Sequence, residues 1–253
     1  MLTQDQINQY ESCGYVFPDY RLSEPTLEEI REKHKEIIQK FPAYRDNCPD
    51  LLSYDPSFLK YAQNPIILDM VAQLIGPNIA LWNMSFFAKP AYNGKKTPWH
   101  QDGQYWPIRP LATCTVWIAI DDATEENGCM QFIPGSHKKK KLMKHRQKND
   151  DNLTLQQELQ LDQIDMSKSI NVELSAGQIS LHDVFLAHGS KVNLSNKPRR
   201  GMTLRLMPTT SLYDRKFATK LFEERGDYNG ALRKLFLLRG ADINGNNKLS
   251  PLT

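Results

Sequence analysis

The texture of the chain changes once, near residue 79, and that change constrains the fold more than any other feature. After it come five short segments: IALWNMSFFAKP, ATCTVWIAID, GCMQFIPGSH, INVELSAGQISLHD and GMTLRLMP. Each is rich in β-branched and aromatic residues and bounded by Gly, Pro or Asn, which is the signature of strands. Parallel strands need long crossover connections, usually helical, and this region shows no βαβ alternation. The pattern predicts a mainly β fold, an antiparallel sandwich or barrel, under a helical cover.

The cover is read from the first 80 residues. In SEPTLEEIREKHKEIIQKF, Leu27, Ile30, Ile37, Ile38 and Phe41 fall at helical spacing, with Ser23 as cap and Pro25 in the first turn. His34 lies on the same stripe and reads as a half-buried core histidine. NPIILDMVAQLIG predicts a second helix from Asn64 to Gly76, with an Asn cap, an N1 proline and a terminal glycine. After the strands, FATKLFEERG and GALRKLFLLRG also look helical.

Composition narrows the function classes. At 253 residues and a net charge of +3, the chain is too near neutrality to indicate nucleic acid on charge. No run of 18 apolar residues predicts a membrane span. MLTQDQINQYESCGYVF lacks the basic and apolar regions of a signal peptide, so the expected location is the cytoplasm. Cys13, Cys48, Cys114 and Cys129 contain no CxxC pair and are expected as reduced, mostly buried thiols. The Lys138–Asn152 segment, KKKKLMKHRQKNDDN, reads as a long exposed loop, with an active-site lid for an anionic substrate as the alternative.

The chemistry concentrates in TPWHQDGQYWP and LHDVFLAHGS. His100 and Asp102 stand two apart, so an extended backbone projects both to one face. Alone, HxD is a weak signal. With a second imidazole from His182 or His188, it forms the two-histidine, one-carboxylate set of non-haem Fe(II) oxygenases, which leaves metal positions open. His188 is favoured because the Gly-Ser that follows suits a strand end. His182 shares its parity and reads as a core histidine or one supporting the ligands. Of the cluster Arg199, Arg200 and Arg205, Arg199 stands at the start of the next strand, where a hairpin could return it beside the metal. A guanidinium there suits the far carboxylate of 2-oxoglutarate. Arg200 reads as a surface charge.

With these motifs in place, the chain resembles the phytanoyl-CoA dioxygenase family of Fe(II)/2-oxoglutarate oxygenases, more closely its small bacterial members. LTQDQINQYESCGYVF resembles the family's first helix and strand. LIGPNI followed by FFAKP resembles its approach to the metal strand, and WHQD its proximal ligands. WIAIDDATEENGCMQFIPGSH and HGSKVNLSNKPRRGMTLRL match its central strands and distal block.

The resemblance implies a double-stranded β-helix, or jelly roll, within one domain spanning 1–253. Residues 1–78 are then mainly helical, 79–210 the core and 211–253 a C-terminal extension. It implies Fe(II) held by His100, Asp102 and His188, with 2-oxoglutarate and O2 as cosubstrates. Arg199 and Ser190 match positions that grip 2-oxoglutarate, and Asn83 and Trp106 match pocket positions. Because Asp102 is present, hydroxylation is expected over halogenation. Tyr105, Arg109 and Lys89, with Lys95 and Lys96 nearby, suit a small substrate with cationic and anionic ends. An amino acid, a betaine-like compound or an aminoalkylphosphonate is expected. An acyl-CoA or natural-product intermediate is the alternative. From another class, a cupin-type isomerase or a non-catalytic metal-binding jelly roll would need neither Arg199 nor O2.

Overall fold

The computed structural model describes residues 1–225 and 229–252. Two antiparallel sheets form its centre. The larger runs, in spatial order, through Tyr15–Val16, Ile179–Asp183, Cys114–Ala119, Arg199–Pro208, Ile79–Lys89, Leu235–Arg239 and Leu249–Ser250. Asn47–Cys48 pairs separately with the Phe86–Phe87 end of the Ile79–Lys89 strand. The smaller sheet runs through Ile170–Val172, Met130–Phe132, His188–Ser190 and Thr97–His100. This is the jelly-roll architecture, with every pairing in the two sheets antiparallel except Leu235–Arg239 with Leu249–Ser250.

The period-two geometry of strands divides the larger sheet into two chemically different faces. Val116, Ile118, Leu181, Met202, Leu204, Leu206, Met84 and Phe86 point to one side and join one apolar core with the helices. Thr115, Trp117, His182, Thr203 and Arg205 alternate with them and face a cavity. One side of the sheet is thus bound to its helical cover by hydrophobic burial, while the other stays available for polar chemistry.

The cover forms where the sequence places it. The helix Glu24–Lys40 follows Ser23 and buries Leu27, Ile30, His34 and Ile37. His34 is more enclosed than a half-buried site, at 2% exposure, and its ring lies 4.3 Å from that of Phe86. The helix Pro65–Ile75 starts at Asn64, whose side chain accepts from the backbone N–H groups of Ile66 and Ile67. No helix among the described residues is long and apolar enough to cross a membrane. All four cysteines are free thiols.

Two elements differ from expectation. GALRKLFLLRG is not a helix: after a 3-10 turn at Gly230–Leu232, Leu235–Arg239 forms a strand on Ile79–Leu81. The backbone of the sheet edge offers it hydrogen bonds and apolar cover, which outweigh a helix propensity of only tenths of a kcal/mol per residue. The preceding helix is Arg215–Arg225, and the glycine that ends FATKLFEERG lies outside the described residues. The basic segment is also not a plain loop, since His145–Gln147 pairs with Gln157–Leu159 as a small hairpin. Glu158 beneath it pairs with Arg146 and Lys148.

Candidate active site

His100 ends the strand Thr97–His100, and Asp102 opens a 3-10 turn, Asp102–Tyr105. The two residues are not in one strand, but Gln101 between them is extended, with φ −111° and ψ 131°. The same-face relation therefore survives. His188 lies directly opposite His100 in the antiparallel register, so the two rings approach to 4.1 Å between centroids. Asp102 Oδ1 is 3.8 Å from His100 Nε2 and 3.9 Å from His188 Nε2. The three residues offer ligand atoms all within 4.8 Å of one another.

The surroundings fix how these atoms face. His100 Nδ1 lies 2.8 Å from the carbonyl oxygen of Pro98, and His188 Nδ1 lies 2.9 Å from that of Leu186. Each ring is tied to the carbonyl two residues upstream, which sets Nδ1 as the donor and leaves the Nε2 lone pair pointing inward. Burial lowers the proton affinity of both rings, that of His188 strongly, so they stay neutral and ligand-competent. Burial opposes ionisation of Asp102, but His182, His188 and Arg205 outweigh it and hold the carboxyl well below its usual range. The second oxygen, Oδ2, accepts from Thr115 Oγ1 at 3.1 Å and stands 3.5 Å from His182 Nε2. Two neutral imidazoles and one ionised carboxylate, each oriented from behind, fit a divalent transition metal.

The cavity in front of these groups lies between the sheets. The larger sheet contributes Phe87, Trp117, Arg199, Thr203 and Arg205; the smaller contributes Thr97, Met130 and Ser190. Arg199 reaches it from the facing sheet rather than across a hairpin, because His188–Ser190 and Arg199–Pro208 belong to different sheets. Its guanidinium is 2% exposed and donates to the carbonyl oxygens of Gly128 and Phe87 and, at 3.4 Å, to Ser190 Oγ. Trp117 covers it, with the ring centroid 5.5 Å from Cζ. Burial pushes its pKa down to about 10. Among the described residues no carboxylate forms a salt bridge with it; Asp121 acts on it only at a distance and pairs instead with Arg200 and Arg31. A buried cation without a close counter-ion is costly, so an anion beside it would be stabilised.

Arg200 turns the other way and grips Asp121 with two 2.7 Å hydrogen bonds. Lys89 is buried beside Arg199 in the strand register, its ammonium on the Lys95 carbonyl; burial and Arg199 push its pKa well below the usual range. Asn83 and Trp106 stand behind Arg205: Asn83 Oδ1 accepts from Nη1 at 2.6 Å, and the Trp106 ring lies 5.1 Å from Cζ. Tyr105 is half-buried at the end of the 3-10 turn. Arg109 is exposed, donating to the Trp106 and Ile108 carbonyls over the Phe217 ring.

The family model described as phytanoyl-CoA dioxygenase (PhyH) matches residues 10–201, a span that takes in all three converging side chains and Arg199. The chain belongs to the phytanoyl-CoA dioxygenase family. It is accordingly an oxygenase of the kind that uses iron and 2-oxoglutarate, and the donor set suits both.

Within that family it is similar to a probable phytanoyl-CoA dioxygenase of Caenorhabditis elegans, 26% identical over 80% of this chain and 74% of the relative. It is also similar to the human peroxisomal phytanoyl-CoA dioxygenase, 29% identical over 54% of this chain and 48% of the relative. The chain thus spans about half the length of some curated relatives it matches. Among solved structures it is similar to the apo form of the non-heme monooxygenase ThoJ. The TM-score is 0.75 and the identity 25%, covering 98% of this chain and 87% of ThoJ. EvdO2 from Micromonospora carbonacea var. aurantiaca, complexed with 2-oxoglutarate, shares the fold at TM-score 0.69 and 19% identity, over 82% of this chain and 91% of that one.

Several residues of this phytanoyl-CoA dioxygenase family site escape a reading of the sequence. Thr115 and Trp117 were legible only as strand residues. Their alternation with Val116 and Ile118 is the signal that separates cavity from core. Gln101 is fully buried, and three of its contacts reach the basic hairpin segment. Its backbone N–H donates to His145 Nε2 at 3.1 Å, its amide donates to Lys141 O at 3.3 Å, and its Oε1 accepts from Met143 N at 2.6 Å. The amide also donates to Phe185 O at 2.7 Å. No local pattern in the sequence announces such a clamp.

Proposed function

We propose that His100 Nε2, Asp102 Oδ1 and His188 Nε2 hold Fe(II), and that Arg199 with Ser190 binds the far carboxylate of 2-oxoglutarate. The substrate is a small zwitterionic or anionic metabolite, such as an amino acid, a betaine-like compound or an aminoalkylphosphonate. The reaction is hydroxylation of an unactivated C–H bond, with succinate and CO2 released. The observation that carries this reading is the pairing of three converging ligand atoms with a buried guanidinium that makes no salt bridge with a carboxylate among the described residues.

Bound iron with 2-oxoglutarate and O2 supplies the oxidising power for the C–H step. The chain's residues hold and exclude. The Pro98 and Leu186 carbonyls keep both imidazoles in the ligating tautomer. Thr115 donates to Oδ2 of Asp102, which lies 3.5 Å from His182 Nε2, so that Oδ1 faces the imidazoles. Trp117, Phe87 and Met130 wall the cavity with apolar surface, which limits water around the reacting carbon. No side chain is needed as a general base. A cupin-type isomerase or a non-catalytic jelly roll would have no use for a buried Arg199.

A second substrate reading, an acyl-CoA or natural-product intermediate, draws support from the basic segment, where Lys138, Lys139, Lys140, Lys141 and Lys144 are exposed. Exposed lysines suit the phosphates of a coenzyme. Succinate release with Fe(II), 2-oxoglutarate and O2, measured against a panel of amino acids, betaines, phosphonates and acyl-CoAs, tests both readings. Stimulation by acyl-CoAs alone would refute the small-metabolite reading. No 2-oxoglutarate turnover in the iron-loaded protein, with or without any panel member, would refute the oxygenase site.

A further inference from the structure

We propose that Arg205 anchors an anionic group of the substrate, a carboxylate or phosphonate, beside the metal-binding triad. The inference rests on the reading of that triad and Arg199 as an iron and 2-oxoglutarate site. It adds the residue that selects the substrate's charge.

Arg205 lies on the inner face of the Arg199–Pro208 strand and lines the same cavity as Arg199. Its Nη1 is committed to the protein, donating to Asn83 Oδ1 at 2.6 Å and to Ser85 Oγ at 3.2 Å. Its Nε is buried and has no hydrogen-bond partner. Among the described residues its Nη2 makes one ion pair, with Asp102 Oδ1 at 3.9 Å. Those two nitrogens form one edge of the guanidinium fork, the geometry that receives two oxygens of one anion. Three aromatic rings fix the plane of the fork: Trp106 at 5.1 Å, Phe87 at 5.6 Å and Trp82 at 6.0 Å from Cζ. Arg233 also lies over Trp82, its Cζ 5.4 Å from the ring centroid, and faces Asp50 with its Nε 3.6 Å from Oδ2.

Charge accounting gives Arg205 its task. Asp102 Oδ1 is the oxygen that faces both imidazoles, so a bound metal claims it. The negative charges of Asp102 and of dianionic 2-oxoglutarate together balance a ferrous ion and Arg199. The charge of Arg205 is then left without a counterpart in an enclosed site, where an unpaired ion is expensive. A monoanionic substrate group restores the balance, and its placement beside Asp102 brings the attached carbon close to the metal. A neutral analogue leaves the fork unpaired and is rejected.

The test uses full-length protein loaded with Co(II) and 2-oxoglutarate, which binds ligands without turning over. Acetate, methylphosphonate and neutral acetamide are titrated while the visible absorption of the bound Co(II) is followed. Both anions should perturb the spectrum saturably and acetamide should not. Arg205→Met should weaken acetate by about 10- to 100-fold, the usual weight of a hydrogen bond to a charged group. The affinity for 2-oxoglutarate should stay within a few-fold of wild type. Arg205→Gln replaces the Met variant if the latter fails to fold, judged by circular dichroism. Wild-type protein that gives no saturable response to either anion overturns the proposal. So does equal acetate binding in the variants, which would place the anion on the metal. Loss of 2-oxoglutarate affinity in the variants would assign Arg205 to the cosubstrate and also overturn it. Failure of wild-type protein to take up Co(II) and 2-oxoglutarate sinks the underlying site reading instead.

Discussion

Gly201→Ala separates the cosubstrate pocket from the metal ligands by steric means alone. Gly201 pairs with Ala119 across the strands, two residues along from the Thr203–Trp117 pair, and the Trp117 indole lies over it. A Cβ at position 201 would fall 2.1 Å from Trp117 Cζ2, 2.3 Å from Cε2 and 2.5 Å from Nε1. Carbon atoms in contact settle at about 3.5–4.0 Å, so the indole must retreat by roughly 1.4 Å or more. It cannot do so freely, because it is 2% exposed and packed with Ala119, Cys129 and Met130. Overpacking of this kind costs about 1–3 kcal/mol of stability.

The functional loss goes to Arg199, whose guanidinium rests on that indole. A displacement of this size in a positioned group can cost about 100-fold in rate. The expected outcome is a KM for 2-oxoglutarate raised at least about tenfold, the worth of one charge-assisted hydrogen bond. Affinity for Co(II) or Ni(II) should hold within a few-fold. Steady-state succinate formation and metal titration provide the two readouts. An unchanged KM in a folded variant would refute the placement of Trp117 and Arg199 at the cosubstrate. Equal losses of metal and 2-oxoglutarate affinity would refute the claimed separation.

His100→Ala and Asp102→Ala should each reduce succinate formation to background; substrate-dependent succinate from the Asp102 variant would argue strongly against the triad. Gln101→Leu removes the amide's contacts to Lys141, Met143 and Phe185. It should weaken metal binding by about 10- to 100-fold, as loss of a residue supporting the ligands does, and an unchanged Ni(II) affinity would show that the clamp is not coupled to the ligands. His34 gives the fold an acid limit, because burial lowers its pKa from 6.5 to about 4. Between those values the unfolded chain binds a proton that the native one refuses, so stability falls as pH drops from 6.5 towards 4, by about 3 kcal/mol in total. His34→Leu should flatten that limb in urea midpoints taken from pH 4 to 7; an identical slope would remove His34 as the cause.

Sequence alone determined what depends on neighbours along the chain. The Asn64 cap, the apolar stripe of residues 27–37 and the strand texture after residue 79 are local, and each formed as its periodicity required. The HxD pair was legible because extended backbone puts alternate side chains on one face, and Gln101 remained extended after the strand had ended. Tertiary structure decided whatever depended on partners distant along the chain. Leu235–Arg239 became a strand because a sheet edge offered it hydrogen bonds, although the same residues carry helical propensity. Arg199 came from the opposite sheet, and Arg205 faced Asp102 through strand parity that no single segment reveals. The physical reason is that a backbone's local preferences act over a few residues. The cost of burying a charge is settled only where the folded chain brings an anion, a carbonyl or an aromatic face against it.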